Sequence, residues 1–190
     1  MAIVINGSGT VTGLAVGGLP DGTVDAGTLA TDSVTAAKLE VSAITGADLP
    51  AGSVLQVVQG TTSTSVSSSS TTYADTGLTA TITPTSTNSK ILVVVAQNGG
   101  FKGNGNINNG IAAKLLRGAT SISSFAEYAG WSYTTTYNYM ETIGTTYLDS
   151  PATTSATAYK TQFRNMVAAG EVTLQRQSMT STITLMEIAG

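Results

Sequence analysis

The sequence predicts an all-β chain, with a repetitive N-terminal stalk leading into a β-sandwich head. Three observations lead there. The 190 residues include 33 Thr, 20 Ser and 21 Gly; Thr favours strands, while Ser and Gly favour turns and bulges. Charged residues make up 10% of the chain against about 25% in ordinary soluble domains, so the Glu- and Lys-rich surface of exposed helices is missing. A ten-residue period also runs through residues 21–50 and then gives way to short alternating segments.

Residues 1–20 read as a docking segment. Ile3, Val4 and Ile5 form a short apolar run, followed by Gly7, Gly9, Gly13, Gly17 and Gly18. An apolar strand flanked by flexible backbone can add itself to a partner's sheet edge. Residues 21–50 form the stalk, in three ungapped windows: DGTVDAGTLA, TDSVTAAKLE and VSAITGADLP. Their fourth slot holds Val24, Val34 and Ile44, and their ninth holds Leu29, Leu39 and Leu49. One window offers two medium apolar side chains, too few to offset the entropy of ordering ten residues. Such repeats become stable by stacking on one another or on other chains. Those six residues are therefore the expected stalk core, completed by further copies; a flexible linker carrying some aliphatics is the other reading.

Residues 51–190 form the head. Strands are expected at 54–58, 78–83, 90–96, 111–117, 137–143, 157–165, 171–174 and 181–188. Eight short strands at that spacing suggest a two-sheet jelly-roll sandwich. The run Ile91-Leu-Val-Val-Val-Ala is apolar on both faces, as fits a central strand covered by the core on one side and by a second sheet or neighbouring subunit on the other. Asn98-Gly99-Gly100 and the Asn/Gly stretch 103–110 read as turns. The Ser/Thr run 61–72 around Val66 is an edge strand or a long loop, and Pro84 and Pro151 punctuate strand ends.

Composition also excludes chemistry. A net charge of -3 with eight scattered Lys and Arg leaves no basic cluster for nucleic acid. With no His and no Cys, the standard triads, zinc sites and disulfides cannot be built, and neither metal nor cofactor is expected. No apolar run reaches the length of a membrane span. The N-terminus has no basic residue before its apolar run, so a secretory signal is not expected.

Two stretches could carry recognition. Residues 126–139 hold Tyr128, Trp131, Tyr133, Tyr137 and Tyr139, including the only Trp; such rings give rigid amphipathic contact area, although they serve equally well packed inside. Asn104, Asn106 and Asn108 offer amides able to pair with saccharide hydroxyls, or simply turn geometry. The head carboxylates are Glu127, Glu141, Asp149, Glu171 and Glu187. A glycosidase needs two at a set separation across a cleft, which makes a glycan-cleaving enzyme the minor alternative. Asp149, before Ser-Pro, reads as a turn cap, and Glu187 as paired with Lys or Arg or reaching solvent.

Residues 23–50 resemble the DGxVTxAKL repeats of tailed-phage fibre proteins. The head resembles the C-terminal module of marine and cyanobacterial phage structural proteins, through SKILVVV (89–95), LLRG (115–118), LDSP (148–151), a Tyr-centred strand (159–163) and STITLMEI (181–188). The resemblance implies a homotrimeric virion component with a threefold stalk and a tumour-necrosis-factor-like jelly-roll head. In such heads the last strand lies near the axis, making Ile183, Leu185, Met186 and Ile188 trimer-core candidates, with Met186 and Ile188 on one face of that strand and Leu185 on the other. The expected function is a non-enzymatic fibre on the phage tail, attached to other virion proteins by its N-terminus and presenting the head to a host-surface glycan or protein. The alternative is a capsid-bound head fibre or decoration protein, which the shortness of the chain favours.

Overall fold

The computed structural model describes residues 4–5, 11–12, 29, 31, 34–35, 39, 44–103, 108–132, 139–168 and 170–190. The chain divides into two units, Met1–Thr45 and Gly46–Gly190. In the first, strands β1 (Val4–Ile5) and β2 (Val11–Thr12) pair antiparallel, Val4 with Thr12 and Ile5 with Val11. The apolar run expected to dock thus has one edge occupied within its own chain, while Ile3 lies outside the described residues. Val24 also lies outside them. Leu29, Val34, Leu39 and Ile44, and Leu49 in the second unit, are each between 40% and 56% exposed, so a single chain leaves these repeat positions uncovered.

The second unit opens with a 3-10 turn, Gly46–Asp48, and is otherwise all-β. Its strands are β3 (Val54–Thr62), β4 (Val66–Ser68), β5 (Ala74–Ile82), β6 (Lys90–Lys102), β7 (Asn109–Arg117), β8 (Thr120–Ser132), β9 (Tyr139–Asp149), β10 (Thr157–Asn165), β11 (Val172–Leu174) and β12 (Ser181–Ile188). They form two antiparallel sheets. One runs β5-β10-β7-β8; the other runs β3-β12-β6, with β9 on the far side of β6 and β11 and β4 continuing beside the end of β6. The main pairings nest in sequence: β3 with β12, β5 with β10, β6 with β9, and β7 with β8.

Val66 lies in the short strand β4, paired with β11, which decides between edge strand and loop. Asn98-Gly99-Gly100 is not a turn. β6 runs through it with a register shift between Gln97 and Gly100, and Gly99 sits at φ +64, where a β-carbon would lie 2.5 Å from the Arg176 nitrogen. Only glycine tolerates that backbone and that approach, so the turn-like composition encodes a bulge.

The sheets share a core built by period-2 alternation. Leu78 and Ile82 from β5, Ile91, Val93 and Val95 from β6, Leu115 from β7, Tyr159 from β10, and Ile183 and Leu185 from β12 form one cluster. Ile111, Ala113, Ile143, Phe163, Val172 and Leu174 form a second. On β10 the inward positions run Tyr159, Thr161, Phe163, so a polar residue falls between the two clusters. There Thr76 and Thr161 hydroxyls meet at 2.6 Å, Thr161 donates to Gln97 Oε1 at 2.9 Å, and Gln97 Nε2 donates to Ser181 Oγ at 3.1 Å. A buried polar chain of this kind is tolerated because its members satisfy one another. Ile183 and Leu185, expected beside a trimer axis, are instead fully buried in this core. The alternation that points them inward turns Met186 and Ile188 outward.

Candidate functional site

Two surfaces of the head stand out, and strand register builds the first. Across the outer face of the larger sheet, Val57 pairs with Met186, Met186 with Leu92, and Leu92 with Leu148. Four apolar side chains on four strands therefore share one row. Val57 is 58% and Leu148 51% exposed, while Met186 and Leu92 are half-buried by their neighbours. On one side of that row Ile188 pairs with Val54 and with Lys90. On the other follow Gln59–Thr184–Val94–Thr146 and Thr61–Thr182–Ala96–Gly144. Lys90, at the margin, is the one charge these four rows carry.

The outer face of the β5-β10-β7-β8 sheet is different. Lys160 pairs with Asp75 at 2.9 Å, and Gln162 Nε2 donates to the same carboxylate at 2.7 Å. The bonds from Lys160 and Gln162 hold the Asp75 carboxyl below its ordinary value, against a small opposing effect of burial. Beside them the Tyr73 ring takes the Lys114 ammonium at 4.1 Å and the Arg164 guanidinium at 5.2 Å. This is a solvated, charged sheet face.

The second surface is an open cleft of about 690 Å3, lined among the described residues by Asn108, Tyr128, Trp131 and Val167. Tyr128 and Trp131 come from the end of β8, and Asn108 immediately precedes β7. The backbone here departs from regular strand geometry: Asn108 has φ 52, Tyr128 φ 59 and Gly130 φ 68. A tyrosine in the left-handed region is rare and unfavourable. It goes with the register shifts between β7 and β8 at Asn109/Ile111 and Ile111/Ala113. Gly110 permits the close crossing, because a β-carbon there would lie 2.7 Å from the Tyr128 backbone. Asn109 braces the opposite wall, its Oδ1 accepting from the backbone of Gly110 at 2.8 Å and of Val167 at 3.4 Å. Beneath β8 the fully buried Lys102 donates to the Ser132 hydroxyl, and burial pushes its ammonium pKa down.

Of the expected recognition residues, Tyr128, Trp131 and Tyr139 are each between 45% and 47% exposed, which favours the outward reading over internal packing within one chain. Asn108 is exposed and on the cleft. Tyr133, Tyr137, Asn104 and Asn106 lie outside the described residues.

Two carboxylates correct the sequence reading. Asp149 is not a turn cap: it is buried, with Arg117 Nη1 donating to both its oxygens at 2.9 and 2.8 Å and the Tyr159 hydroxyl at 2.6 Å. Burial, then that bond to Asp149, pushes the Tyr159 phenol well above its ordinary value. The LLRG and LDSP motifs therefore meet in one knot joining the ends of β7, β9 and β10. Glu187 neither pairs with a cation nor reaches solvent. It is fully buried and accepts from Gln56 Nε2 at 2.5 Å and from the Thr85 backbone and hydroxyl at 2.6 and 2.7 Å. Burial alone would raise its carboxyl, but hydrogen bonds, that from Gln56 foremost, outweigh it and hold the group below the ordinary glutamate value.

The run 91–96 marks Leu92 as part of a second apolar face, but its alignment in one row with Val57 and Leu148 depends on strand register, and on β3 the register shift opposite Glu187/Ile188 also breaks strict alternation. Among the described residues no group of three or more Asp or Glu could hold a metal ion, and no helix is long and apolar enough to cross a membrane. Compared with known proteins, the sequence matches no family model and no curated protein.

Proposed function

We propose that this chain is a non-enzymatic virion structural protein, a homotrimeric fibre that projects from a phage tail and holds its head toward a host surface. The observation that carries the reading is the row Val57–Met186–Leu92–Leu148. Monomeric domains seldom leave a contiguous apolar patch on a sheet face unless it is an interaction site. Because this face carries almost no charge, copies can approach one another without like-charge repulsion. The uncovered repeat positions Leu29, Val34, Leu39, Ile44 and Leu49 support the same assembly from the stalk. The nested strand pairs support a jelly-roll head of the tumour-necrosis-factor-like type, and the outward positions of Met186 and Ile188 on β12 support their part in contact with neighbouring copies. The internal engagement of Asp149 and Glu187 supports a non-catalytic head, since both buried carboxylates are taken up by hydrogen bonds from their own fold.

Sedimentation equilibrium tests the assembly directly. The trimer has three times the 19.2 kDa chain mass; a stable monomer at micromolar concentration overturns the reading, and a dimer overturns the threefold part of it. Gold labelling of an epitope tag on intact particles tests location: label on the tail supports attachment there, whereas label spread over the shell refutes it in favour of capsid decoration. Release of reducing ends from host polysaccharide by the purified protein, lost on replacing the exposed Glu127, contradicts the non-enzymatic part.

A further inference from the structure

We infer that the cleft formed by Asn108, Tyr128, Trp131 and Val167 is a binding site for a neutral saccharide, held by stacking on the two rings and by the Asn108 amide. The inference rests on the attachment reading above and gives it a ligand class. Size comes first: about 690 Å3 lies within the range of roughly 300–1,000 Å3 typical of small-ligand sites. A concavity of that size suits one or a few sugar rings better than the flat patch, burying about 800 Å2 on each partner, that a protein interface needs.

Lining chemistry comes second. A pyranose ring presents apolar C–H faces and hydroxyl edges, and half-exposed Tyr128 and Trp131 beside a carboxamide match both. Charge decides between neutral and acidic sugars. None of the four lining residues among those described is charged, and neither GNGNINNG (103–110) nor YAGWSYTTTYNY (128–139) contains a charged residue. An acidic saccharide would find no counter-charge in those stretches, and a purely apolar ligand would leave the Asn108 amide unmatched.

Backbone strain comes third. Asn108 and Tyr128 both hold left-handed backbones, which the fold maintains through the Gly110 crossing and the Asn109 bridge to Val167. Strain kept in place by its surroundings is a pointer to function. Replacing either residue with glycine should therefore relieve the backbone while removing a contact, a combination a purely structural role would not produce.

Trp131 is the only tryptophan in the chain, so its emission reports on this cleft alone. The intact protein is titrated with neutral malto-, manno- and galacto-oligosaccharides, and in parallel with alginate oligosaccharides as the acidic probe. The expected result is a saturable emission change with at least one neutral series and a weaker one with alginate. Tyr128→Gly and Asn108→Gly should each weaken that binding by about tenfold, the scale of one lost stacking or amide contact, with melting temperature unchanged or raised. No saturable change with any neutral series, tighter binding of alginate, or unaltered affinity in both variants overturns the assignment. A trimer that gives no saturable response rejects the cleft and keeps the assembly, while a monomer that binds rejects the assembly and keeps the cleft.

Discussion

The two sheets of the head turn unlike faces to the outside. On β5-β10-β7-β8 the outward positions are spent on Asp75, Lys114, Lys160, Gln162 and Arg164, the pattern of a surface meant for water. On β3-β12-β6-β9 the corresponding positions are Val57, Met186, Leu92, Leu148, Val94 and a set of threonines. Both sheets contribute apolar residues to the common core, so the inner faces do not explain the contrast. Strand propensity does not explain it either, since Thr serves on both. What differs is the outward composition: one face carries charged side chains, the other aliphatic and threonine side chains, as the proposed assembly requires of a contact face. An antiparallel sheet facing water should alternate apolar-in and polar-out, and the second sheet breaks this along the row Val57–Met186–Leu92–Leu148.

The sharpest way to break the comparison is a charge on each face. Leu92→Asp should place a carboxylate in every copy against an apolar neighbour, costing several kcal/mol per site, and sedimentation should show monomers. Gln162→Glu on the opposite sheet should leave the oligomer intact. Equal masses for both variants would mean the uncharged face is not buried.

Next in size are the inward positions, which should matter to folding rather than to assembly. Leu185→Ala should lower unfolding stability by about 2–5 kcal/mol, read by chemical denaturation. Asp149→Ala, which strands Arg117 and Tyr159, should lose about 3–5 kcal/mol. Met186→Ala, one residue along β12 from Leu185, should chiefly weaken association and so make melting more dependent on protein concentration.

Acid should separate the faces more gently. The Glu187 carboxyl is held below its ordinary value of 4.5, so its contribution to stability is complete above that value and drains away as pH falls through the folded-state value beneath it. Head stability should therefore decline below about pH 4.5, and Glu187→Gln should flatten that limb in a pH series of melting curves. Asp75, also depressed from 3.8, acts in the same direction at still lower pH. Since the apolar row has no titratable group, the mass should stay constant between about pH 5 and 8. The smallest effect belongs to the exposed Lys160–Asp75 pair: Lys160→Ala should change stability by less than about 1 kcal/mol, and added salt should shrink the difference.

Much of this architecture was legible in residue order. The strands Thr157–Asn165 and Ser181–Ile188 fall where alternation and turn punctuation put them, and the two-faced apolarity of residues 91–96 marked β6 as central. β8 was not anticipated as a strand. Four register shifts against β7 scatter its period, and its Ser, Ala and Gly residues carry little strand signal, so its aromatics read as either a recognition segment or internal packing, with no strand to place them. Asp149 and Glu187 were misread for one shared reason. Their partners sit on other strands, Gln56 being 131 residues from Glu187, and Arg117 and Tyr159 being 32 and 10 residues from Asp149; local sequence does not reveal which donors on neighbouring strands a fold will bring to a carboxylate. The exposure of Trp131 belongs to the same class, set by bulges that no single window encodes.

The buried ends of β12 bear on how reliably the head reaches one structure. Both faces of this strand hold aliphatic residues, Ile183 and Leu185 on one side and Met186 and Ile188 on the other, so oiliness alone discriminates weakly between the proper alignment and a slip by one residue. Ser181 and Glu187 remove the ambiguity. In the proper alignment each meets donors or acceptors supplied by β3, β6 and the Thr85 loop; in the slipped one both turn outward, Gln97 loses its counterpart inside the core, and Gln56 and Thr85 lose theirs nearer the surface. The two polar residues act like the wards of a key at either end of an otherwise permissive strand, penalising mispairing rather than adding adhesion. Folding yield after dilution from denaturant, more than melting temperature, is where their loss should be felt.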